Sequence, residues 1–188
     1  MHTRKLCWFA PILLALGCTT ATPSRPNILF LFADDQRADT IGAWGNPHIE
    51  TPHLDQLARE GFSFRANYNL GSNNGAVCIP SRAMVNSGKS YFRLRPDLHE
   101  TALFPEVLGA EGYTTFATGK WHNGPASWLR SFQRGTAVFF GGMSDHTLVP
   151  LQDLDKDGNL VNDRVDGFSS TVFADAVIDF LQTYEEEA

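Results

Sequence analysis

Asn27-Ile28-Leu29-Phe30-Leu31-Phe32-Ala33 is a continuous apolar run that ends on two carboxylates, Asp34 and Asp35. It is too short for a typical helix and lacks the alternation of a half-solvated strand. Such a run reads as a strand buried on both faces, the kind found at the centre of an α/β sheet. The expected fold class is therefore α/β, with a mostly parallel central sheet flanked by helices. Ligands of open α/β sheets gather at the carboxyl ends of the strands, which places Asp34 and Asp35 at the rim of a site. Two adjacent carboxylates repel unless positive charge lies between them. Either one caps a turn while the other is solvated, or the pair holds a hard cation through oxygen, Ca2+ ahead of Mg2+.

Helix punctuation follows. Thr51 is a candidate N-cap, Pro52 suits the first helical position and Gly61 closes the segment. Leu54, Leu57 and Ala58 would be its buried stripe, with His53 on the first-turn surface. Phe62, Phe64 and Ala66 alternate with polar residues and suggest a strand, and residues 69–76 form a Gly/Asn/Ser loop. A second helix is expected from Thr101 to Gly112, turning Leu103, Val107 and Leu108 inward, and another from Ser169 to Glu187 with an apolar face from Val172 to Leu181. Ala137 to Phe140 reads as a strand. Asp153 to Gly158 mimics the start of a calcium loop, but Arg164 stands where that loop needs a bidentate glutamate, so it is read as an Asp-Gly turn. Asp145-His146 could reach a cleft, with no motif to assign it a role.

The loop at 69–76 delivers Cys78-Ile79-Pro80-Ser81-Arg82, followed by Ala83-Met84-Val85-Asn86-Ser87-Gly88. Proline is tolerated in the first turn of a helix, so Cys78 is expected at or just before a helix N-terminus, which favours an anion. Arg82 follows about one helical turn later and can reach back to the same space. A plainer reading has Cys78 as a small buried hydrophobe and Arg82 as a solvated charge. Further on, a helix stops at Gly112, a strand runs from Tyr113 to Thr118, and Lys120 and His122 emerge beyond it. Residues two apart in an extended chain point to one side, so a cation and a proton-transfer group would face one ligand. The alternative is a solvated lysine and a packed histidine.

Cys-x-Pro-Ser-Arg with its apolar run and Gly88 resembles the first signature of the formylglycine-dependent sulfatases, a family of the alkaline-phosphatase-like superfamily. Gly-Tyr-x-Thr followed by Gly119-Lys120-Trp121-His122 resembles their second signature, and Asp34-Asp35-Gln36-Arg37 with Asp39-Thr40-Ile41-Gly42 their first metal motif. Two departures stand out: Asn86-Ser87 where the family usually has Leu-Thr, and Asn123-Gly124 where it usually continues with Leu. The resemblance implies that Cys78 is oxidised to formylglycine by a maturation enzyme and that its hydrate attacks sulfur. It implies that Arg82 and Lys120 hold the formylglycine and the sulfate, and that His122 assists proton transfer. It implies that Asp34, Asp35 and residue 78 ligate a divalent metal, Ca2+ ahead of Mg2+. The substrate class it implies is a sulfated carbohydrate or aryl sulfate.

His2, Arg4 and Lys5 precede an apolar run from Leu6 to Leu16, too short to span a membrane, and small residues follow. Residues 1–21 are thus expected to be a signal peptide, 22–26 a linker and 27–188 the N-terminal part of a catalytic domain. Leu14-Ala15-Leu16-Gly17-Cys18 resembles a bacterial lipobox, which would make the product a periplasmic or cell-surface lipoprotein with a lipid anchor. Cleavage after Thr19-Thr20-Ala21 would leave a secreted protein instead. Of the three cysteines, only Cys78 would then remain as a thiol in an oxidising compartment, which asks for a chemical explanation. The net charge of −6 comes without a basic stripe and argues against a nucleic-acid partner.

The family's members are usually more than twice the length of these 188 residues, and their further metal ligands, a lysine and a histidine lie downstream. The chain is accordingly expected to be an N-terminal piece or a truncated product, inactive or poorly folded by itself. Two other functions stay open: a phosphonate or phosphodiester hydrolase on the same scaffold, and a non-catalytic surface-anchored remnant.

Overall fold

The computed structural model describes residues 25–37, 39–68, 71, 73, 77–163 and 167–184. The expected leader, most of the loop at 69–76, Arg164 and the terminal glutamates lie outside them. The chain divides into two compact units, residues 1–33 and 34–188.

In the first unit, Asn27–Ala33 forms no strand, and Ile28 to Phe32 are exposed, contrary to the expectation of a doubly buried strand. Such a run becomes a strand only when a neighbouring ladder takes up its N–H and C=O groups.

The second unit carries the α/β architecture. Its helices are α1 (Pro52–Glu60), α2 (Cys78–Ser87), α3 (Phe104–Ala110), α4 (Pro125–Ser131) and α5 (Ser169–Thr183). Its strands are β1 (Phe116–Lys120), β2 (Arg134–Phe139), β3 (Leu151–Leu154) and β4 (Leu160–Asp163), in the spatial order β1-β2-β3-β4. β1 and β2 are parallel and joined through α4, as a parallel pair requires a crossover. The β3–β4 hairpin extends the sheet in the antiparallel sense. Its turn is the Asp-Gly turn read from the sequence: Asp155 Oδ1 accepts the Asp157 and Asn159 amides at 2.9 and 2.8 Å.

β2 separates two cores. Val138 packs with Ala83, Leu98, Leu103, Trp121 and Trp128. Its neighbours Ala137 and Phe139 join Leu151 and Ala176 of α5 in a second cluster. Side chains alternate across a strand, so β2 serves a helical layer on each side. Between Ala117 and Gly119 the register slips, because two steps along β1 match three along β2. Ala137, at φ 54°, sits in this bulge, and its amide donates to Asp153 Oδ1 at 2.6 Å.

Local punctuation predicts α1 well, with Thr51 before Pro52 and Gly61 after Glu60. Its stripe is a correction: Leu54 and Leu57 are exposed and no α1 residue is buried. Phe62 and Phe64 form no strand either; they are exposed and meet edge-on at 4.9 Å. Periodicity marks which side chains can share a face, while burial needs an element to cover that face. The expected strand at 113–118 lies slightly later, at Phe116–Lys120, so Lys120 closes β1. In the helix expected at 101–112, Val107 is exposed rather than inward, whereas Leu103 is fully buried.

Candidate active site

Three charged groups meet where β1 ends. Lys120 Nζ donates to Asp34 Oδ2 at 2.8 Å and to the Gly142 carbonyl at 2.6 Å. Arg82 Nη2 donates to Asp34 Oδ1 at 3.1 Å, while its Nη1 donates to the Lys120 carbonyl. The two cationic side chains are largely buried, at 8% and 12% exposure, and the Asp34 carboxylate between them is 39% exposed. Like charges this close repel, and the shared carboxylate is what offsets them. α2 presents Arg82 because its last turn is fastened internally: Asn86 Nδ2 donates to the Arg82 carbonyl at 2.8 Å and Ser87 Oγ to the Ala83 carbonyl at 2.6 Å. Asn86, a departure from the resembled signature, is therefore a buried hydrogen-bond donor here.

His122 follows two residues after Lys120, half-buried and with a left-handed backbone at φ 68°. Asn123, only 2% exposed, fixes this turn by donating to the Ile79 carbonyl at 3.1 Å and the Pro96 carbonyl at 2.8 Å. The residue after His122 is thereby bonded to the residue after Cys78. Cys78 is the first residue of α2 and half-buried, as expected for a helix N-terminus. Asp34, Arg82, Lys120 and His122 thus form one electrostatic cluster, and Cys78 stands one helical turn before its arginine. Asp35 is exposed at φ 52° and makes no hydrogen bond or ion pair among the described residues. Sequence reasoning missed Asn123 and Gly142. Asn123 had left a trace, as the residue that departs from the resembled signature, whereas Gly142 acts through backbone atoms.

Burial raises the Asp34 carboxyl, but hydrogen bonds from Lys120 and Arg82 and their charges outweigh it, and its pKa lies below the usual carboxylate value. His122 is also depressed, first by burial and then by the charges of Lys120 and Arg82, which Asp34 opposes only in part. Its imidazole is therefore neutral at pH 7 and able to accept a proton. Both shifts act on stability in one direction. A depressed pKa stabilises the fold above the unfolded-state value and the gain is lost as pH falls through the folded value. Urea midpoints are expected to decline first below about pH 6.5 as His122 takes up a proton. They decline again below about pH 4 as Asp34 and the other hydrogen-bonded carboxylates held below their usual value, Asp55, Asp97, Asp145 and Asp155, do the same. His122→Gln should flatten the upper stage and leave the lower one.

Asp34 and Asp35 offer hard oxygens, but calcium takes six to eight. Both Asp34 oxygens already accept from cations, and among the described residues no group of three His, Cys, Asp or Glu side chains is arranged to hold a metal. These residues do not by themselves fit a divalent ion. Away from the cluster, His146 binds the start of α5: its Nδ1 lies 2.8 Å from Ser169 Oγ, its carbonyl accepts the Ser169 amide, and its ring stacks on Phe168. Asp145 caps its own turn through Thr147.

In this α/β unit a lysine and an arginine thus converge on one carboxylate, with a histidine that is neutral at pH 7 in their field. The family model described as Sulfatase matches residues 26–187, and the chain belongs to that family. It is 36% identical to arylsulfatase A of Bos taurus over 78% of this chain and 31% of the relative. It is 32% identical to N-acetylgalactosamine-6-sulfatase of Rattus norvegicus over 72% of this chain and 29% of the relative. Over 53% of the chain it is 35% identical to an ulvan-active sulfatase of Formosa agariphila, matching 20% of that protein. The chain thus spans less than a third of the length of these relatives.

Proposed function

We propose that this chain forms the nucleophile-bearing part of a sulfuric ester hydrolase acting on a sulfated carbohydrate or aryl sulfate. The observation that carries the reading is the Asp34 carboxylate clasped by Lys120 and by Arg82, the latter one helical turn after Cys78 in α2. Conversion of Cys78 to formylglycine by a maturation enzyme would supply, through its hydrate, the oxygen nucleophile toward sulfur. The position fits this modification, being half-buried at the start of a helix. Arg82 and Lys120 would hold negative charge on the sulfate's non-bridging oxygens, where charge must be stabilised as the ester breaks. His122, neutral at pH 7, would accept a proton at its imidazole and return one to the leaving oxygen. A divalent cation, Ca2+ ahead of Mg2+, belongs to the proposal for a whole protein that brings further oxygens to Asp34 and Asp35. Export as a periplasmic or surface lipoprotein stays a proposal resting on residues 1–21.

The reading is tested by co-expressing the chain with a formylglycine-generating enzyme and sequencing the peptide around residue 78 by mass spectrometry. An aldehyde at that position is expected. A thiol surviving in a host that matures a control sulfatase would remove the basis for the hydrolase. Side-by-side assays of a longer matured protein that carries this chain, on matched sulfate, phosphodiester and phosphonate esters, then separate a sulfatase from a phosphodiester or phosphonate hydrolase.

A further inference from the structure

The loop after β2 meets the cluster through a residue without a side chain. The Gly142 carbonyl accepts from Lys120 Nζ at 2.6 Å. A Cβ on Gly142 would lie 2.8 Å from His122 Cε1 and 2.9 Å from Nε2, closer than real Cβ contacts come. The edge of the imidazole therefore rests directly on the Gly142 backbone. The opposite ring nitrogen, Nδ1, is buried and has no hydrogen-bond partner among the described residues. No side-chain hydrogen bond at Nδ1 holds the ring in place, so its orientation depends on packing. Its own backbone cannot turn freely, because Asn123 beside it donates to the Ile79 and Pro96 carbonyls. Gly141 differs: a Cβ there would meet the ring of Phe139, a member of the second core, at 2.6 Å. The glycine pair thus makes room for one core ring and one ring of the site.

We infer that Gly142 is a positioning residue: it seats the His122 imidazole against its bare Cα and fixes the Lys120 ammonium with its carbonyl. One backbone unit then sets the relative placement of the proton-transfer group and the cation for the anionic group. This rests on the hydrolase reading for its purpose, though not for its geometry. A methyl group at position 142 has to displace the ring, since the carbonyl beside it is anchored by Lys120. Misplacing a reacting group by about an ångström costs up to about a hundredfold in rate.

The test is Gly142→Ala, alone and combined with His122→Ala, in the 188-residue chain matured at position 78. The His122 ring signal, assigned by its disappearance in His122→Ala, is read by carbon–proton NMR. In Gly142→Ala it is expected to move more than any other histidine signal. In a longer matured protein that carries this chain and turns over aryl sulfate, kcat/KM is expected to fall at least about tenfold on the native background and not at all further on the His122→Ala background. If Gly142→Ala alone does not fold, recovery of folding in the double variant supports the inference, and its failure to recover overturns it. An unmoved His122 signal, or an equal loss of kcat/KM on both backgrounds, also overturns it. A matured chain that hydrolyses no aryl sulfate is the outcome expected of an N-terminal piece; the hydrolase reading is then decided by formylglycine at position 78, and the role of Gly142 by the NMR result.

Discussion

Asp34→Ala is expected to destabilise the protein by about 3–4 kcal/mol, the cost of stranding buried charge when one partner of an ion pair is removed. For a chain of this size that corresponds to a fall of about 10 °C in thermal midpoint. The carboxylate serves two side chains at once, Arg82 at 3.1 Å and Lys120 at 2.8 Å, each at most 12% exposed. Losing it leaves two cations facing one another in a space that water enters poorly. Because Asp34 itself is 39% exposed, some solvent can follow the deletion, which holds the estimate at the lower end of the range for buried pairs. Asp34→Asn keeps an acceptor and should cost less. The decisive comparison is Asp34→Ala with Lys120→Met. If repulsion between the cations is the cause, the double variant is more stable than Asp34→Ala alone, and a double-mutant cycle by urea denaturation measures the coupling. Strictly additive losses would mean that the carboxylate contributes packing and not charge.

The second large effect lies in the core. Trp128→Ala should cost about 3–5 kcal/mol, the range for deleting a buried aromatic ring. Trp128 is fully buried, lies 5.4 Å from the Phe132 ring and 6.1 Å from that of Phe140, and covers Gly135 of β2. A Cβ on Gly135 would fall 2.3 Å from the indole and 2.9 Å from the Ala117 carbonyl. Gly135→Ala should therefore be severely destabilising in the native chain and less so beside Trp128→Ala, where the vacated volume admits the methyl. The relief should be partial, because the Ala117 carbonyl belongs to β1 and cannot withdraw. Urea unfolding of the four proteins checks both statements. Equal costs of Gly135→Ala on the two backgrounds would show that the strand, and not the indole, excludes the methyl.

What the sequence made legible was local. Proline after Thr51, glycine at 61 and 88, and the Asp155–Gly158 turn mark ends and reversals through dihedral preference and short-range hydrogen bonds, and the structure has them in place. Cys78 at the head of α2 and Lys120 at the end of β1 follow from the same kind of signal. Burial was less legible. Leu54, Leu57, Phe62 and Phe64 carry the right spacing but are exposed, since covering a face takes a partner that spacing does not specify. The site divides the same way. Arg82, Lys120 and His122 announce themselves by chemistry and by resemblance. Asn123 and Gly142 act across 44 and 22 positions of chain through an amide and a backbone carbonyl, and such long-range bonds have no local pattern.

The extra residue in β2 has a consequence for how the chain tolerates change in length. It decides which of Val138 and Phe139 points to which helical layer, and it brings Phe139 opposite Lys120. Shortening the strand by that one residue would exchange inside for outside for the rest of β2, sending valine where phenylalanine belongs and carrying the Gly142 loop off its mark. An inconspicuous irregularity in hydrogen bonding thus acts as the frame marker that keeps two hydrophobic layers and a charged rim in phase.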